Sequence, residues 1–72
     1  MAKYKQTLSK LSKRIQVMRK AKGLTLEKLA YENEISKGNL SDIENGKRSP
    51  SLATLIKIAN GLDCQVRDLI DF

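Results

Sequence analysis

The stretch TLEKLAYENEISKGNLSDIEN, residues 25–45, contains two short helical segments separated by very few residues. Thr25 and Ser36 each stand where a side-chain oxygen can accept a hydrogen bond from the first turn of a helix. The residues that follow predict one helix over about residues 25–33 and another over about residues 36–45. A connection of about three residues is too short for antiparallel packing, so we expect the two helices to cross steeply.

This spacing is typical of a helix-turn-helix, in which the second helix presents one face to a partner. With Leu40 and Ile43 taken as inward-facing, a step of about 100° per residue assigns the other positions. The outer face then comprises Gly38, Ser41, Asp42 and Asn45, with Asn39 at its edge and Lys37 at the exposed tip. A protein-binding helix normally offers an apolar or aromatic anchor, whereas small polar groups suit the edges of DNA bases.

The rest of the sequence predicts three more helices around this pair. A first helix over about residues 7–22 is indicated by apolar residues at every third or fourth position, namely Leu8, Leu11, Ile15 and Met18. A fourth helix begins after Pro50 and the potential cap Ser51, and its expected apolar stripe is Leu52, Leu55, Ile56, Ala59 and Leu62. A short fifth helix is expected over about residues 65–70. The sequence therefore predicts an all-α, compact five-helix domain.

Composition limits the functions that the chain can have. Its 72 residues suffice for one domain, and 14 Lys and Arg against 8 Asp and Glu give a net charge of +6. This balance favours a polyanion, either nucleic acid or an anionic membrane surface. With no histidine and a single cysteine, Cys64, we expect no metal site, no cofactor and no enzymatic activity. The lone cysteine suits a cytoplasmic protein, and no apolar run approaches the ~20 residues of a membrane span.

Two cations follow the glycine that ends the third helix. Gly46 stands where a left-handed residue can close the last turn, and Lys47 and Arg48 come directly after it. These cations can complement the helix dipole, or they can contact a DNA phosphate when the start of the same helix lies in a major groove. Because these cations follow a helix-turn-helix, we prefer the interpretation that they contact phosphate.

Three motifs in register resemble the DNA-binding domain of the XRE family, the class of the phage Cro and cI repressors. They are MRKAKGLT-x-x-x-LA, IS-x-x-x-LS-x-IENGKR and PSLATLIKIA, and the resemblance covers about residues 8–70. It implies a five-helix, lambda-repressor-like fold and a transcriptional regulator. It also implies a homodimer on a palindromic double-stranded DNA operator, with residues 36–45 as the recognition helix in the major groove.

The resemblance assigns roles residue by residue. Base contacts fall to Lys37, Gly38, Asn39, Ser41 and Asp42, of which Lys37 suits guanine, Asn39 adenine and Asp42 cytosine. Phosphate contacts, which position the protein on the duplex, fall to Ser36, Asn45, Lys47 and Arg48. The family also pairs an arginine late in the first helix with the glutamate before the Asn-Gly turn, so Arg19 and Glu44 are expected to form a partly buried structural ion pair.

The chain departs from the family pattern at five positions, one of which is Cys64, where a buried valine is common. Leu26 replaces a glutamine that steadies a phosphate and braces the recognition helix, which puts that support in doubt. Glu34 and Asp63 replace glycines in turns, and both are poorer than glycine at positive φ. Gly38 removes a side chain from a position that usually reads bases, so specificity there is expected to be relaxed or to depend on DNA shape.

The two ends of the chain complete the expected organisation. Residues 1–7 are expected to be a short basic N-terminal arm, either reaching over DNA or frayed, and residues 8–72 the DNA-binding domain. The homodimer contact is assigned to the C-terminal helix through Val66, Leu69 and Ile70, with the aromatic residues Tyr4 and Phe72 as possible contributors.

Two functions of other classes remain open from the residues alone. In one, the chain is an antitoxin or adaptor-type interaction module that mainly binds a protein partner, and its helix-turn-helix is secondary. In the other, residues 3–22 act as a cationic peptide at a membrane surface. No small-molecule ligand site is evident in the sequence.

Overall fold

The computed structural model describes residues 2–72 of the chain. Its helices are α1 (Ala2–Ala21), α2 (Leu26–Glu32), α3 (Lys37–Glu44), α4 (Leu52–Gly61) and α5 (Val66–Leu69). The expected all-α, five-helix architecture is confirmed, and no strand occurs in the described range. α1 packs on α3 and α5, while α2 packs on α3 and α4 and α4 also contacts α5. None of these helices combines the length and apolar character needed to cross a membrane.

The helix starts are fixed by the side chains that the sequence predicted as caps. Thr25 Oγ1 accepts a hydrogen bond from the backbone N–H of Lys28 at 3.0 Å, and Ser36 Oγ accepts one from that of Asn39 at 3.1 Å. Ser51 Oγ does the same for Thr54 at 3.1 Å. Each cap satisfies an amide that has no partner within its own helix, so both helices of the helix-turn-helix begin at defined residues.

The first helix begins earlier than the sequence predicted. α1 starts at Ala2, whereas the apolar row placed its start at about Thr7. Apolar periodicity marks the part of a helix that is buried, but residues 2–6 contain neither proline nor glycine and can extend the helix into solvent. Most of the segment assigned to a separate arm is thus a continuation of α1, and Met1 lies outside the described residues.

One hydrophobic core lies between the five helices. Its buried apolar members are Leu11, Ile15, Leu29, Ala30, Ile35, Leu40, Ile43, Ile58, Ala59, Leu62 and Leu69. The stripe predicted for α4 is partly wrong, because Leu52 is 67% and Ile56 45% exposed while Ile58 is fully buried. α4 carries apolar residues on more than one face, so its sequence pattern alone does not decide which face packs inward.

Close packing of α4 on α2 depends on Gly61. A Cβ atom at this position would lie 2.5 Å from Leu29 Cδ1 and still closer to Asn33 Nδ2. Neither distance is compatible with van der Waals contact, so a side chain at Gly61 requires Leu29 and Asn33 to move. Since α2 also supports α3, this glycine helps to set the position of the helix-turn-helix.

Candidate nucleic-acid interface

The third helix has a buried face and an exposed polar face. Leu40 and Ile43 are completely buried, and Ile35 in the preceding turn is 7% exposed. The backbone N–H of Ile35 donates to the carbonyl oxygen of Ala30 at 2.9 Å and thereby ties the turn to the end of α2. These anchors fix the rotation of α3 about its own axis, which determines the residues that face solvent.

The residues predicted to contact bases or phosphates lie mainly on the exposed face of α3. Lys37, Gly38 and Asn45 are exposed, while Ser41 and Asp42 are half-buried. A Cβ atom at Gly38 would meet nothing within 4 Å, so this part of the helix is open. The face has no large apolar side chain, so it presents mainly hydrogen-bonding groups to solvent.

Asn39 is not presented as fully as its neighbours. It is half-buried, and its Oδ1 atom is covered by protein without a hydrogen-bond partner. A bidentate contact with adenine requires both the amide oxygen and the amide nitrogen to face the base. Such a contact therefore needs a rotation of the Asn39 side chain. A buried oxygen without a hydrogen-bond partner costs about 1–3 kcal/mol, and the rotation would remove this cost.

Two of the predicted phosphate ligands also bind within α3 itself. Ser36 Oγ caps the helix, as described above, and the hydroxyl hydrogen remains free to donate. Asn45 Nδ2 donates to the carbonyl oxygen of Ser41 at 2.9 Å and lies 3.4 Å from Ser41 Oγ. These bonds fix both side chains at the two ends of the exposed face.

The cations after α3 lie on an exposed turn. The backbone N–H of Lys47 donates to the carbonyl oxygen of Asp42 at 2.8 Å, and Gly46 has a φ of +72°. Lys47 and Arg48 are both exposed. Arg48 Nε lies 3.9 Å from Asp42 Oδ2, a long contact that a phosphate or a base can replace.

A buried ion pair connects α1 to the end of α3. Arg19 Nε and Nη2 donate to the two carboxylate oxygens of Glu44 at 2.7 Å and 3.0 Å, and Arg19 Nη1 donates to the carbonyl oxygen of Leu24 at 2.7 Å. The two side chains are only 12% and 4% exposed. The hydrogen bond with Glu44 raises the pKa of Arg19, so the guanidinium stays charged. The expected contact between Arg19 and Glu44 is thus present, and it is bidentate and lies behind the exposed face of α3.

Ser12 is a second link between α1 and α3, and sequence reasoning missed it. It is 4% exposed, and its hydroxyl donates to the carbonyl oxygen of Ile43 at 2.6 Å. The carbonyl groups of the last turn of a helix have no partner within the helix. That of Ile43 accepts from the backbone N–H of Gly46 at 3.2 Å, and the Ser12 hydroxyl adds a bond from α1. A serine beside the apolar residue Leu11 gave no signal that could identify this role from the sequence.

The sequence also gave no role to Glu27, which contacts the first residue of α3. Glu27 Oε2 lies 2.9 Å from Lys37 Nζ, and the side chains are 63% and 62% exposed. The hydrogen bond from Lys37 lowers the pKa of the Glu27 carboxyl. The pair joins the first turn of α2 to the first turn of α3 on the surface of the helix-turn-helix.

Comparison with known proteins agrees with this geometry. The family model described as helix-turn-helix, HTH_3, matches residues 15–69. The chain belongs to this helix-turn-helix family. It is 43% identical over 49 residues to the control protein C.BamHI of Bacillus amyloliquefaciens, a match that covers 68% of this chain and 60% of the relative. It is 39% identical over 62 residues to the HTH-type transcriptional regulator DdrOP3 of Deinococcus deserti, which covers 86% of this chain and 48% of the relative.

A solved structure of the family has the same fold. The restriction-modification controller protein C.AhdI of Aeromonas hydrophila superposes with a TM-score of 0.83 at 35% identity, over 86% of this chain and 94% of that one. The resemblance to the XRE class expected from the sequence is thereby confirmed. The chain spans about half the length of the curated relatives it matches.

The departure from the expected family pattern at Leu26 has a structural counterpart. Leu26, at the position expected to hold a glutamine, packs against the hydrophobic core and makes no polar link to α3. The polar link between α2 and α3 is instead made one residue later, by Glu27 with Lys37. The starts of α2 and α3 are thus linked by an exposed ion pair and not through residue 26.

The C-terminal residues assigned to the homodimer contact are not equally available. Ile70 is 50% exposed, Val66 packs partly against the core, and Leu69 is completely buried in the core of its own chain. The assignment of Leu69 to a contact with a second copy is therefore wrong. In a helix as short as α5, neighbouring apolar residues do not indicate from sequence which of them faces inward.

Ile70 does share a groove with both terminal aromatic residues. The groove has a volume of about 210 Å³ and is lined by Tyr4, Thr7, Leu8, Leu11, Ser49, Ile70 and Phe72. Arg14 fixes the C-terminal residues that line the groove. Its Nη1 and Nη2 donate to the carbonyl oxygens of Asp68 and Asp71 at 3.0 Å and 2.6 Å. The guanidinium also lies 5.8 Å from the centre of the Phe72 ring, in a cation–π contact.

Proposed function

We propose that the chain is a sequence-specific, double-stranded-DNA-binding transcriptional regulator that acts in the cytoplasm as a homodimer on a palindromic operator. The observation that carries the proposal is the exposed face of α3, which offers open polar groups and no apolar anchor and is fixed from behind by a buried ion pair. Membership of the helix-turn-helix family and the names of the regulators it resembles support the same function.

In the proposed complex, the first half of α3 lies in the major groove. Lys37 donates to guanine O6 and N7, Asp42 accepts from cytosine N4, and Asn39 binds adenine after its side chain rotates. Ser41 contacts a base edge directly, and Gly38 lets the backbone approach the bases closely. The open surroundings of Gly38 support this close approach, since a Cβ atom at that position would meet no protein atom within 4 Å.

The proposed phosphate contacts lie at the two ends of the same helix. Ser36 and Asn45 bind the backbone on either side of the groove, and Lys47 and Arg48 add charge at the exposed turn. These contacts position α3 without reading sequence. Their contribution should fall with salt, because each neutralised phosphate lowers log K by about 0.9 per tenfold rise in salt concentration.

The proposed homodimer contact uses the groove that contains Tyr4, Ile70 and Phe72. These three residues are 60%, 50% and 48% exposed, which is unusual for large apolar residues that are clustered together. A domain of this size also gains stability when a second copy covers such a surface. Two copies related by a two-fold axis would present their α3 helices to half-sites about 34 Å apart.

The proposal is tested by selecting duplexes from a random pool at near-physiological salt and sequencing those retained. We expect a two-fold symmetric motif, two chains per selected duplex in sedimentation, and loss of preference at one base pair per half-site in Lys37→Ala. Lys10→Ala removes the same charge from α1 and should keep the motif unchanged. The proposal would be contradicted if no motif is enriched and the binding itself disappears as salt rises. That result would favour the interaction module, whose protein partner would then occupy the apolar groove.

A further inference from the structure

We propose that Glu27 is a specificity-determining positioning residue, which directs the ammonium of Lys37 towards a base and keeps it from binding phosphate. This inference rests on the proposed function, because it concerns how α3 distinguishes one DNA sequence from another. It names a residue outside the recognition helix, and Glu27 itself need not touch DNA.

The geometry of the pair carries the inference. Glu27 lies in the first turn of α2 and Lys37 is the first residue of α3, so the 2.9 Å contact spans the two helix starts that flank the exposed face. Both side chains are more than half exposed, which shows that the contact is not part of the core. An exposed lysine normally samples many rotamers, since its charge is carried on a flexible four-carbon stem. Glu27 restricts that freedom at the position expected to meet the bases.

The chemistry of an ammonium group allows it to bind two partners at once. Lys37 has three N–H donors, of which one is directed to Glu27 and two remain for guanine O6 and N7. A lysine already ordered by its neighbour loses less conformational entropy when it binds. The pair should therefore favour a base contact that fits its geometry over contacts with other sequences.

The charge of Glu27 acts in the same direction. A carboxylate at hydrogen-bond distance offsets the positive charge of Lys37 and repels any phosphate that approaches the ammonium. The carboxylate of Asp42, on α3 itself, is 3.9 Å from Arg48 Nε and restrains that cation much less. Glu27 thus prevents Lys37 from adding one phosphate contact, which lowers the affinity for DNA of any sequence. The base contact of Lys37 remains.

Two substitutions separate orientation from charge. Glu27→Gln removes the charge, whereas Glu27→Asp keeps it on a stem that is too short to hold Lys37 at the same distance. Glu32→Gln is the matched control, since Glu32 is exposed on the same helix and carries the same charge. All variants are measured as full chains, with a thermal melt that should change only slightly because the pair is exposed.

The experiment measures affinity for a random-sequence duplex over a series of salt concentrations and the preference at the base pair read by Lys37. For Glu27→Gln we expect the slope of log K against log salt to steepen by about 0.9, with about fivefold tighter binding to random DNA at 0.15 M salt. For Glu27→Asp the slope should stay near that of the parent while the base preference falls at least fivefold. Glu32→Gln should change neither quantity to this extent.

Failure of the inference is distinguishable from failure of the proposed function. If the parent selects a symmetric motif but Glu27→Gln leaves both the salt slope and the base preference unchanged, the inference is wrong and the function stands. If the parent selects no motif, the proposed function is wrong. If, in addition, Glu27→Gln leaves the slope of log K against log salt unchanged, the inference is wrong as well. An equal loss of affinity for every sequence together with a lower melting temperature would show a merely structural role and would also overturn it.

Discussion

Two ion pairs hold α3, one behind its last turn and one beside its first residue, and they differ in exposure and geometry. Arg19 and Glu44 form a bidentate contact with side chains 12% and 4% exposed, whereas Glu27 and Lys37 make one contact with side chains 63% and 62% exposed. Loss of one partner leaves an unpaired charge in the core in the first case and a hydrated charge in the second. We therefore expect the buried pair to determine whether α3 is in place and the exposed pair to determine what it binds.

The largest expected effect comes from breaking the buried pair. Glu44→Ala leaves the Arg19 guanidinium without its carboxylate and should lower the free energy of unfolding by about 3–5 kcal/mol. Urea denaturation measures this loss, and DNA affinity should fall equally for every sequence. Glu32→Ala is the control, because it removes an exposed carboxylate and should change stability by less than about 0.5 kcal/mol. A small loss in Glu44→Ala would mean that both charges are hydrated, and the contrast between the two pairs would disappear.

Two glycines extend the comparison from the ion pairs to the packing around them. Gly61→Ala places a methyl group against Leu29 and Asn33 and should lower the free energy of unfolding by about 1–3 kcal/mol. Gly38→Ala adds the same methyl group in open space on the exposed face of α3 and should stabilise the helix by up to about 1 kcal/mol. Thermal melts measure both changes. Only Gly38→Ala should alter the selected DNA motif. A changed motif for Gly61→Ala, measured under conditions where that variant is fully folded, would contradict this distinction between packing and recognition.

The smallest expected effect is on the titration of the exposed pair. Lys37 lowers the pKa of Glu27, so the contribution of this contact to stability is present above the ordinary pKa of glutamate and is lost as the pH falls through the lowered value. A carboxyl titration followed by NMR should show a higher midpoint for Glu27 in Lys37→Ala than in the parent. The same midpoint in both proteins would mean that the two side chains do not interact in solution.

Much of the fold was predictable because local chemistry determines it. Thr25, Ser36 and Ser51 are caps that act within their own first turns, and the spacing between the first two defines the helix-turn-helix. The start of α1 was not predictable in this way, since the apolar row indicates only where that helix is buried.

The features that were missed depend on how the helices cross. Leu69 and Ile70 are adjacent apolar residues, and only the packing of α5 on the rest of the chain decides that the first is buried and the second exposed. The contact between Glu27 and Lys37 spans two helices and depends on their crossing angle, which the sequence does not state. The covered amide oxygen of Asn39 likewise depends on the atoms packed around it, which the sequence does not specify.

The most direct test of α3 in the major groove is methylation interference on a selected duplex, with the parent protein and Lys37→Ala compared side by side. Methylation at guanine N7 modifies the major-groove edge that Lys37 is proposed to bind. We expect methylation of one guanine in each half-site, about one helical turn apart, to block binding of the parent and to have much less effect on Lys37→Ala. Interference confined to minor-groove positions, or the same guanine pattern in both proteins, would contradict the proposed interface.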